Sequence, residues 1–281
     1  MAEREDLAVV GARLAMVDGT MPPAAVTLAG RDAGVLTMVD HPYWDSFSVS
    51  PDAGWVAWVP HRAEFSPREP LVLLADAPGS IRSVRFQGFG TTRLALSSKA
   101  GRLALIAEIG DEDHYLIVLD PTTGALEQDV TTLITRFNLR SVERLRISGD
   151  GHRIAVGSRE SFVVIDLPSR SLVFESQGRF PSLSHRGDTV AFVDRHNTLV
   201  ITALATGKRT FPISKWWDTP GVGAWSPDGR FLLAGAKGPL AIYWNAAVID
   251  LATGEVVQIV RLEEGIFGQD TAWINRRLLS G

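Results

Sequence analysis

The sequence predicts an all-β fold in which short antiparallel strands are repeated along the chain. Short runs of Val, Ile, Leu and aromatic residues alternate with turns rich in Gly, Asp, Ser and Pro, which is typical of strands joined by hairpins. One strand–turn–strand phrase also recurs along the chain. Strands and helices do not alternate as they would in a βαβ fold, although residues 130–144 are compatible with one short helix.

The repeated phrase is an apolar strand, a serine-rich turn ending in glycine, and a second apolar strand. Its five copies place the turn glycine at Gly54, Gly101, Gly151, Gly187 and Gly229. A second hairpin follows each copy, with a turn that ends at Gly79, Gly124, Arg170, Gly207 or Gly254. Two hairpins make a four-stranded sheet, and a repeat of about 40–50 residues with four strands indicates a β-propeller blade.

Two segments carry a family resemblance. Trp225–Leu233 (WSPDGRFLL) and Val248–Gly254 (VIDLATG) resemble the repeats of TolB-like and WD-repeat-like propellers. The resemblance extends over residues 47–260; it implies the fold and says little about function. No copy has the Trp-Asp pair that closes the third strand of a true WD repeat, which places the chain nearer the TolB-like group.

Residues 1–281 are expected to form a single propeller domain. The N-terminal segment predicts one hairpin from Leu7–Val10 and Arg13–Val17 around Gly11, and another from Ala24–Leu28 and Val35–Val39. The segment 270–279 has the pattern of half a blade. We favour seven blades, the last of them incomplete. The alternative is six blades closed by pairing of the C-terminal strands with N-terminal ones.

Composition excludes several classes of function. The chain has 281 residues, of which 45% are hydrophobic and 21% charged, as in a globular protein. A formal net charge of -4 gives no reason to expect a nucleic acid partner or an anionic membrane surface. The absence of cysteine removes disulfides, thiol catalysis and cysteine-ligated metals.

The N-terminal sequence predicts a cytoplasmic location. Acidic residues precede the first apolar stretch, which Gly11 and Arg13 interrupt, so it lacks the pattern of a secretory signal. A periplasmic or secreted location is the alternative if a leader has been removed. We expect no membrane span, since no segment approaches 18 consecutive apolar residues.

Catalytic and cofactor motifs are missing from the sequence. It contains no Gly-x-Ser-x-Gly elbow, no His-Glu-x-x-His and no phosphate-binding loop, so we expect no cofactor, no metal and no catalytic residues. One alternative is a lyase or hydrolase with a His/Asp site at the channel mouth. It would need some of a set of loop side chains to converge: His41, Asp45, His61, His114, His196 and Asp218. His152 and His185 fall in hairpin turns on the opposite face.

Loops between blades, and loops between the second and third strands of a blade, share one face of a propeller, which commonly carries function. Here these loops are rich in aromatic and basic residues. The predicted binding residues are Tyr43, Trp44, Asp45, His61, Arg195, His196, Trp216, Trp217, Asp218, Tyr243 and Trp244. Aromatic side chains and arginine dominate interface energetics.

We therefore predict a non-catalytic interaction module that binds a protein partner, or another subunit, through this aromatic-rich loop face. A carbohydrate or another small ligand, stacked on tryptophan, is a second alternative to the enzyme. The same tryptophans could instead pack over a blade edge or fill the channel. Four further tryptophans occur within predicted strands and are expected to be core residues: Trp55, Trp58, Trp225 and Trp273.

Overall fold

The repeated hairpins are present in the computed structural model as six four-stranded antiparallel sheets, counted over its described residues. The structure describes residues 7–16, 24–28, 35–39, 47–51, 55–58, 71–75, 81–85, 90–98, 101–109, 113–135, 137–210, 221–226, 228–237, 244–261 and 271–275. In this part of the chain, no helix has the length and apolar character needed to span a membrane.

The first three sheets follow the chain in order. The first contains β1 (Leu7–Met16), β2 (Ala24–Leu28) and β3 (Val35–Val39). The second contains β4 (Phe47–Val49), β5 (Val56–Trp58), β6 (Leu71–Ala75) and β7 (Ile81–Arg85). The third contains β8 (Gly90–Leu96), β9 (Leu103–Ile109), β10 (Asp113–Leu119) and β11 (Leu126–Asp129).

The remaining strands form three more sheets and complete the first one. The fourth sheet contains β12 (Arg144–Ile147), β13 (Arg153–Gly157), β14 (Ser161–Asp166) and β15 (Ser171–Gln177). The fifth contains β16 (Arg179–Leu183), β17 (Thr189–Val193), β18 (Leu199–Ala203) and β19 (Arg209–Thr210). The sixth contains β20 (Gly221–Trp225), β21 (Phe231–Lys237), β22 (Trp244–Asp250) and β23 (Glu255–Arg261). The last strand is β24 (Thr271–Asn275).

The C-terminal strand joins the first sheet. β24 pairs antiparallel with β1, with Trp273 opposite Val9, so the strand order is β24-β1-β2-β3. We expected this C-terminal segment to begin an incomplete seventh blade. It instead completes the first sheet, as the six-blade alternative requires. This pairing gives hydrogen-bond partners to strand edges that an isolated half-blade would expose.

The predicted N-terminal hairpin around Gly11 is wrong. β1 is continuous from Leu7 to Met16; its first half pairs with β24 and its second half, from Ala12 onward, pairs with β2. A tight turn is unnecessary because each half of the strand has its own partner. The helix considered for residues 130–144 is present as two 3-10 turns, Thr131–Ile134 and Leu139–Ser141.

The sheets pack side by side in chain order. The first strands β4, β8, β12, β16 and β20, followed by β24, contact one another in that sequence. Each hydrophobic cluster among the described residues is shared by two consecutive sheets. Middle strands are therefore covered on both faces; in β14, residues 162–165 are all buried, whereas the outer strand β15 has no buried residue. Burial on both faces explains the continuous apolar runs in the sequence.

The five predicted serine-rich turns share one hydrogen-bond pattern. Each begins with a buried serine: Ser50, Ser97, Ser148, Ser184 and Ser226. Every one of these hydroxyl oxygens accepts the backbone N–H five residues later, at 2.7–3.1 Å. In the fourth, fifth and sixth sheets the hydroxyl also donates to an aspartate of the same turn. Serine is suited to this place because one hydroxyl both accepts and donates.

Neighbouring turns are also bonded to each other. The Ser98 N–H donates to the Gly149 carbonyl at 3.1 Å, and the Asp150 N–H donates to the His185 carbonyl at 3.0 Å. The Arg153 guanidinium donates to the Gly187 carbonyl at 2.7 Å and to Asp166 at 3.1 Å. These bonds connect the third, fourth and fifth sheets at one end.

Candidate functional site

The two ends of the sheets differ in the loops they carry. Because consecutive strands are antiparallel, the serine-rich turns and the turns between third and fourth strands lie at one end, here named the turn end. The loops between second and third strands, and the connections between sheets, lie at the opposite end, here named the loop end. The sequence predicted a binding face at the loop end.

A pocket of about 430 Å³ lies at the loop end between the fourth and fifth sheets. It is formed by the β13–β14 loop, the β15–β16 connection and the β17–β18 loop. Its lining residues are Arg159, Glu160, Ser161, Gln177, Gly178, Arg179, Asp194, Arg195 and Asn197. The volume is within the range of ligand pockets, about 300–1,000 Å³.

An aspartate shapes the β17–β18 loop. The Asp194 carboxylate accepts the backbone N–H of His196 at 2.8 Å and that of Thr198 at 2.9 Å. This turn holds Arg195 and His196 at the tip of the loop, where both are exposed. Asn197 has a positive φ of 60°, a conformation that asparagine tolerates better than most residues. The loop is therefore fixed by its own hydrogen bonds while the side chains of Arg195 and His196 face solvent.

A serine shapes the β13–β14 loop. The Ser158 N–H donates to the Ser161 carbonyl at 2.8 Å, and the Ser161 N–H donates to the Ser158 hydroxyl at 3.3 Å. Arg159 and Glu160 occupy the tip and are exposed. The Arg159 Nε donates to Glu143 at 2.6 Å, and this hydrogen bond raises the pKa of the guanidinium above its ordinary value. Arg159 is consequently held beside the pocket as a permanent cation.

The connection between β15 and β16 requires glycine at one position. The Gly178 N–H donates to the Glu160 carbonyl at 2.8 Å, and its φ is 155°. A Cβ atom there would lie 2.6 Å from the Phe192 ring and 2.8 Å from the Val193 carbonyl oxygen. Only glycine allows the connection to pass this close to β17. The pocket floor is therefore set by backbone packing.

Two arginines lie over one aromatic ring beside the pocket. The Cζ atoms of Arg144 and Arg179 are 5.1 Å and 5.6 Å from the centroid of the Phe180 ring. Arg179 also donates to the side-chain oxygen of Asn197. Phe180 has a positive φ of 56°, and the β16–β17 register is irregular from Arg179 to Ser182. The cation–π contacts orient the guanidinium groups on a strained strand.

The pocket can therefore bind anionic or hydrogen-bond-accepting groups. Arg159, Arg179 and Arg195 line it against two carboxylates, those of Glu160 and Asp194. Across the described ranges, no group of three or more His, Asp or Glu side chains is placed to hold a metal ion. The geometry favours recognition through guanidinium groups.

The structure reaches only part of the predicted binding face. Arg195 lines the pocket and His196 adjoins it. Trp244 begins β22, where its backbone pairs with Lys237, and its side chain is not described. The other predicted binding residues lie outside the described residues: Tyr43, Trp44, Asp45, His61, Trp216, Trp217, Asp218 and Tyr243. The aromatic patch stays a prediction.

Other predicted residues have mixed outcomes. Of the expected core tryptophans, Trp225 is buried and Trp55 packs against a core cluster while half-buried. The side chains of Trp58 and Trp273 are not described. His152 and His185 lie in turns at the turn end, as predicted.

The histidines of the enzyme alternative are only partly described. His114 lies in β10 of the third sheet and His196 in a loop of the fifth sheet. His41, Asp45, His61 and Asp218 lie outside the described residues. The prediction of a His/Asp site at the channel mouth therefore stays untested.

Sequence reasoning missed the residues that build the pocket. Arg159, Gly178, Arg179 and Asn197 were not predicted as site residues. The sequence did contain a signal for them. Each of these residues lies one to four positions after the end of a strand, at the same end of its sheet as Arg195. The shared position of Arg159 and Arg179 at one pocket depends on how the fourth and fifth sheets pack, which strand pattern alone does not reveal.

Comparison with known proteins identifies the fold. No protein-family model matches the chain, and no curated protein does. TolB from Acinetobacter baumannii has a TM-score of 0.65 at 15% sequence identity; the match covers 95% of this chain and 66% of the TolB chain. A chain in the crystal structure of a nidogen/laminin complex has a TM-score of 0.60 at 10% identity, covering 95% of this chain and 98% of its own length. The chain has a β-propeller fold.

The resemblance to TolB-like propellers is thereby confirmed at the level of fold. This chain spans about two thirds of the matched TolB chain. At identities this low, the likeness concerns the path of the backbone. It does not carry any residue's role from those proteins to this one.

Proposed function

We propose that this chain is a non-catalytic interaction module that binds a segment of a protein partner at the loop end of its propeller. The observation that carries the proposal is the pocket between the fourth and fifth sheets, with Arg195 and His196 exposed at its edge. These two residues were predicted as binding residues from sequence alone. Loops held on a rigid sheet scaffold are where propellers place binding groups.

The contrast between the ends supports this assignment. At the turn end the polar groups of the serine-rich turns bond to each other and to the next turn. A small cavity of about 50 Å³ between the first strands at that end has room for water. The loop-end pocket between the fourth and fifth sheets is larger, about 430 Å³, and Arg195 and His196 are exposed beside it, which leaves groups available to a partner.

A six-bladed arrangement is part of the proposal. Pairing of β24 with β1 supports it, since that pairing completes the first sheet with a fourth strand. Closure of this kind would keep the loops of all blades on one rigid rim. The likeness to a chain in a nidogen/laminin complex gives a precedent for this fold in an assembly of two proteins.

The proposal is tested by site-specific photocrosslinking in the organism that produces the protein. p-Benzoylphenylalanine is placed at His196 on the loop end in one variant and at His152 on the turn end in the matched control. Both side chains are exposed, so neither replacement should disturb folding. A discrete crosslinked protein obtained from position 196 and absent from position 152 is the expected result.

Competition makes the result specific. Excess unlabelled protein should abolish the crosslink, whereas protein carrying Trp216→Ala and Trp217→Ala should compete poorly if the predicted aromatic residues share the interface. Equal crosslinking from both positions, or none from either, would overturn the proposal. A crosslink only to a second copy of the chain would identify the partner as another subunit.

A further inference from the structure

The charged groups of the loop-end pocket define what kind of partner segment it accepts. Arg159, Arg179 and Arg195 converge on one space of about 430 Å³ from three different loops or strand ends. Two carboxylates also line it, but the Asp194 oxygen already accepts two backbone N–H groups. Arg159 is in turn paired with Glu143, so the charged groups left to meet a ligand are the guanidinium groups of Arg179 and Arg195 and the single carboxylate of Glu160.

The guanidinium of Arg179 is preorganised. Its terminal nitrogen donates to Asn197 and its Cζ lies 5.6 Å from the centroid of the Phe180 ring. Its Nε is buried and has no hydrogen-bond acceptor in the described part of the chain. A buried N–H without an acceptor is unfavourable, so the contacts with Asn197 and Phe180 must hold the guanidinium where it lies.

Backbone strain is concentrated around the same side chain. Phe180, next to Arg179, and Asn197, its hydrogen-bond partner, have φ values of 56° and 60°. Gly178, on its other side, makes contacts that no larger residue could make. Strained conformations of this kind persist where the surrounding structure enforces them, and they cluster at binding sites.

The chemistry of the pocket favours carboxylates over a nucleic acid backbone. A planar guanidinium pairs with a carboxylate through two parallel hydrogen bonds. The net charge of -4 and the Glu160 carboxylate repel any anionic ligand, and this repulsion increases with the number of ligand charges, so it opposes a dense run of phosphates more than a few carboxylates. The space suits a few side chains of an extended segment.

We propose that the loop-end pocket binds an acidic segment of the protein partner, with Arg179 and Arg195 contacting its Glu or Asp carboxylates. This inference rests on the proposed function and specifies the chemistry of the partner. It assigns no reaction to the pocket, because binding requires only hydrogen bonds and charge complementarity.

Fluorescence anisotropy tests the proposal with a fluorescein-labelled peptide of alternating Gly and Glu pairs. Saturable binding that weakens with added salt is expected, because surface charge interactions are screened. The same peptide with Gln in place of Glu should not bind. Arg195→Ser should weaken binding at least ~10-fold, while Arg195→Lys should retain part of the affinity.

Arg186→Ser is the matched control. Arg186 is an equally exposed arginine of the same sheet, but it lies in the β16–β17 turn at the turn end. Its replacement should leave peptide affinity unchanged. Equal losses for both serine variants, or equal binding of the Glu and Gln peptides, would overturn the proposal.

Two further comparisons distinguish a wrong ligand chemistry from a wrong proposed function. A short single-stranded DNA that binds more tightly than the Glu peptide, and loses affinity with Arg195→Ser, would overturn the carboxylate assignment in favour of phosphate. If the Glu peptide fails to bind but the crosslink from position 196 is still obtained, the acidic-segment inference is wrong and the interaction module stands. If both fail, the proposed function is wrong as well.

Discussion

The turn end and the loop end of the same sheets differ in how regular their connections are. At the turn end, one serine-centred turn pattern recurs in successive sheets, and hydrogen bonds join the turns of the third, fourth and fifth sheets. At the loop end between the fourth and fifth sheets, the loops differ from each other in sequence and hydrogen bonding, and three arginines line one pocket. This difference supports our proposal that the turn end stabilises the fold while the loop end binds a partner.

The largest expected effect comes from forcing a side chain into the loop-end packing. Gly178→Ala would place Cβ 2.6 Å from the Phe192 ring, so β16 and β17 would have to move apart. We expect a loss of about 3 kcal/mol in the free energy of unfolding, measured by urea denaturation.

Gly207→Ala is its matched control. Gly207 also has a positive φ, 65°, but no atom lies within 4 Å of the added Cβ. This variant should lose only about 1 kcal/mol, the cost of the left-handed conformation. Equal losses for the two variants would show that Gly178 is needed for its φ alone.

The next largest effect concerns the turn end. Ser148→Ala removes the acceptor of the Arg153 N–H and the donor to Asp150 at a fully buried position. A loss of about 2 kcal/mol in the free energy of unfolding is expected, because buried polar groups lose their partners. Thr132→Ala, at an exposed position, should stay within about 0.5 kcal/mol. A Ser148→Ala variant as stable as wild type would mean that the turn pattern is incidental.

A smaller effect should appear as a pH dependence of the turn end. The Arg230 guanidinium donates to Asp250 at 2.8 Å, and this hydrogen bond lowers the pKa of the Asp250 carboxyl below its ordinary value of 3.8. Since the folded-state pKa is the lower one, the stabilisation is complete above the ordinary value. It is lost as the pH falls through the folded-state pKa.

Urea midpoints measured from about pH 6 down to about pH 3 check this dependence. Asp250→Asn should be less stable than wild type near neutral pH and should lose less stability on acidification. In the Asp250→Asn variant the dependence of the urea midpoint on pH should be weaker than in wild type. It should not disappear, because Asp120 and Asp166 also have lowered pKa values. Parallel curves for the variant and wild type would contradict the assignment of this pair.

The smallest effect on stability is expected at the tip of the β17–β18 loop. Arg195→Ser and His196→Ala alter exposed side chains of the Asp194 turn, whose hydrogen bonds join backbone N–H groups to the Asp194 carboxylate and use neither altered side chain. Thermal unfolding should change by no more than about 0.5 kcal/mol for either variant. A larger loss would mean that the loop end also stabilises the fold, and the separation of roles between the ends would fail.

Local chemistry explains why much of the fold was predictable. The serine-rich turns were placed correctly because their bonds are made within five or six residues. Arg170 was predicted to occupy a glycine position, and its φ of 51° shows that the turn geometry is the same there. The apolar runs of the middle strands were readable because those strands are covered on both faces.

Longer-range features were predicted poorly for the opposite reason. The continuity of β1 through Gly11 depends on β24, which lies more than 250 residues away in the chain. Likewise, the contact of Arg179 with Asn197, and that of Arg144 with Phe180, depend on packing between strands and sheets. No local pattern around these residues indicates their partners.

The sequence by itself determined the hairpin repeat, the chemistry of the turns and the side of the sheets on which Arg195 and His196 lie, because strand alternation and turn hydrogen bonds are local. Only the tertiary structure decided how the chain ends pair and which arginines share a pocket. Those outcomes depend on the order in which separate sheets pack side by side, and that order brings distant residues within contact distance.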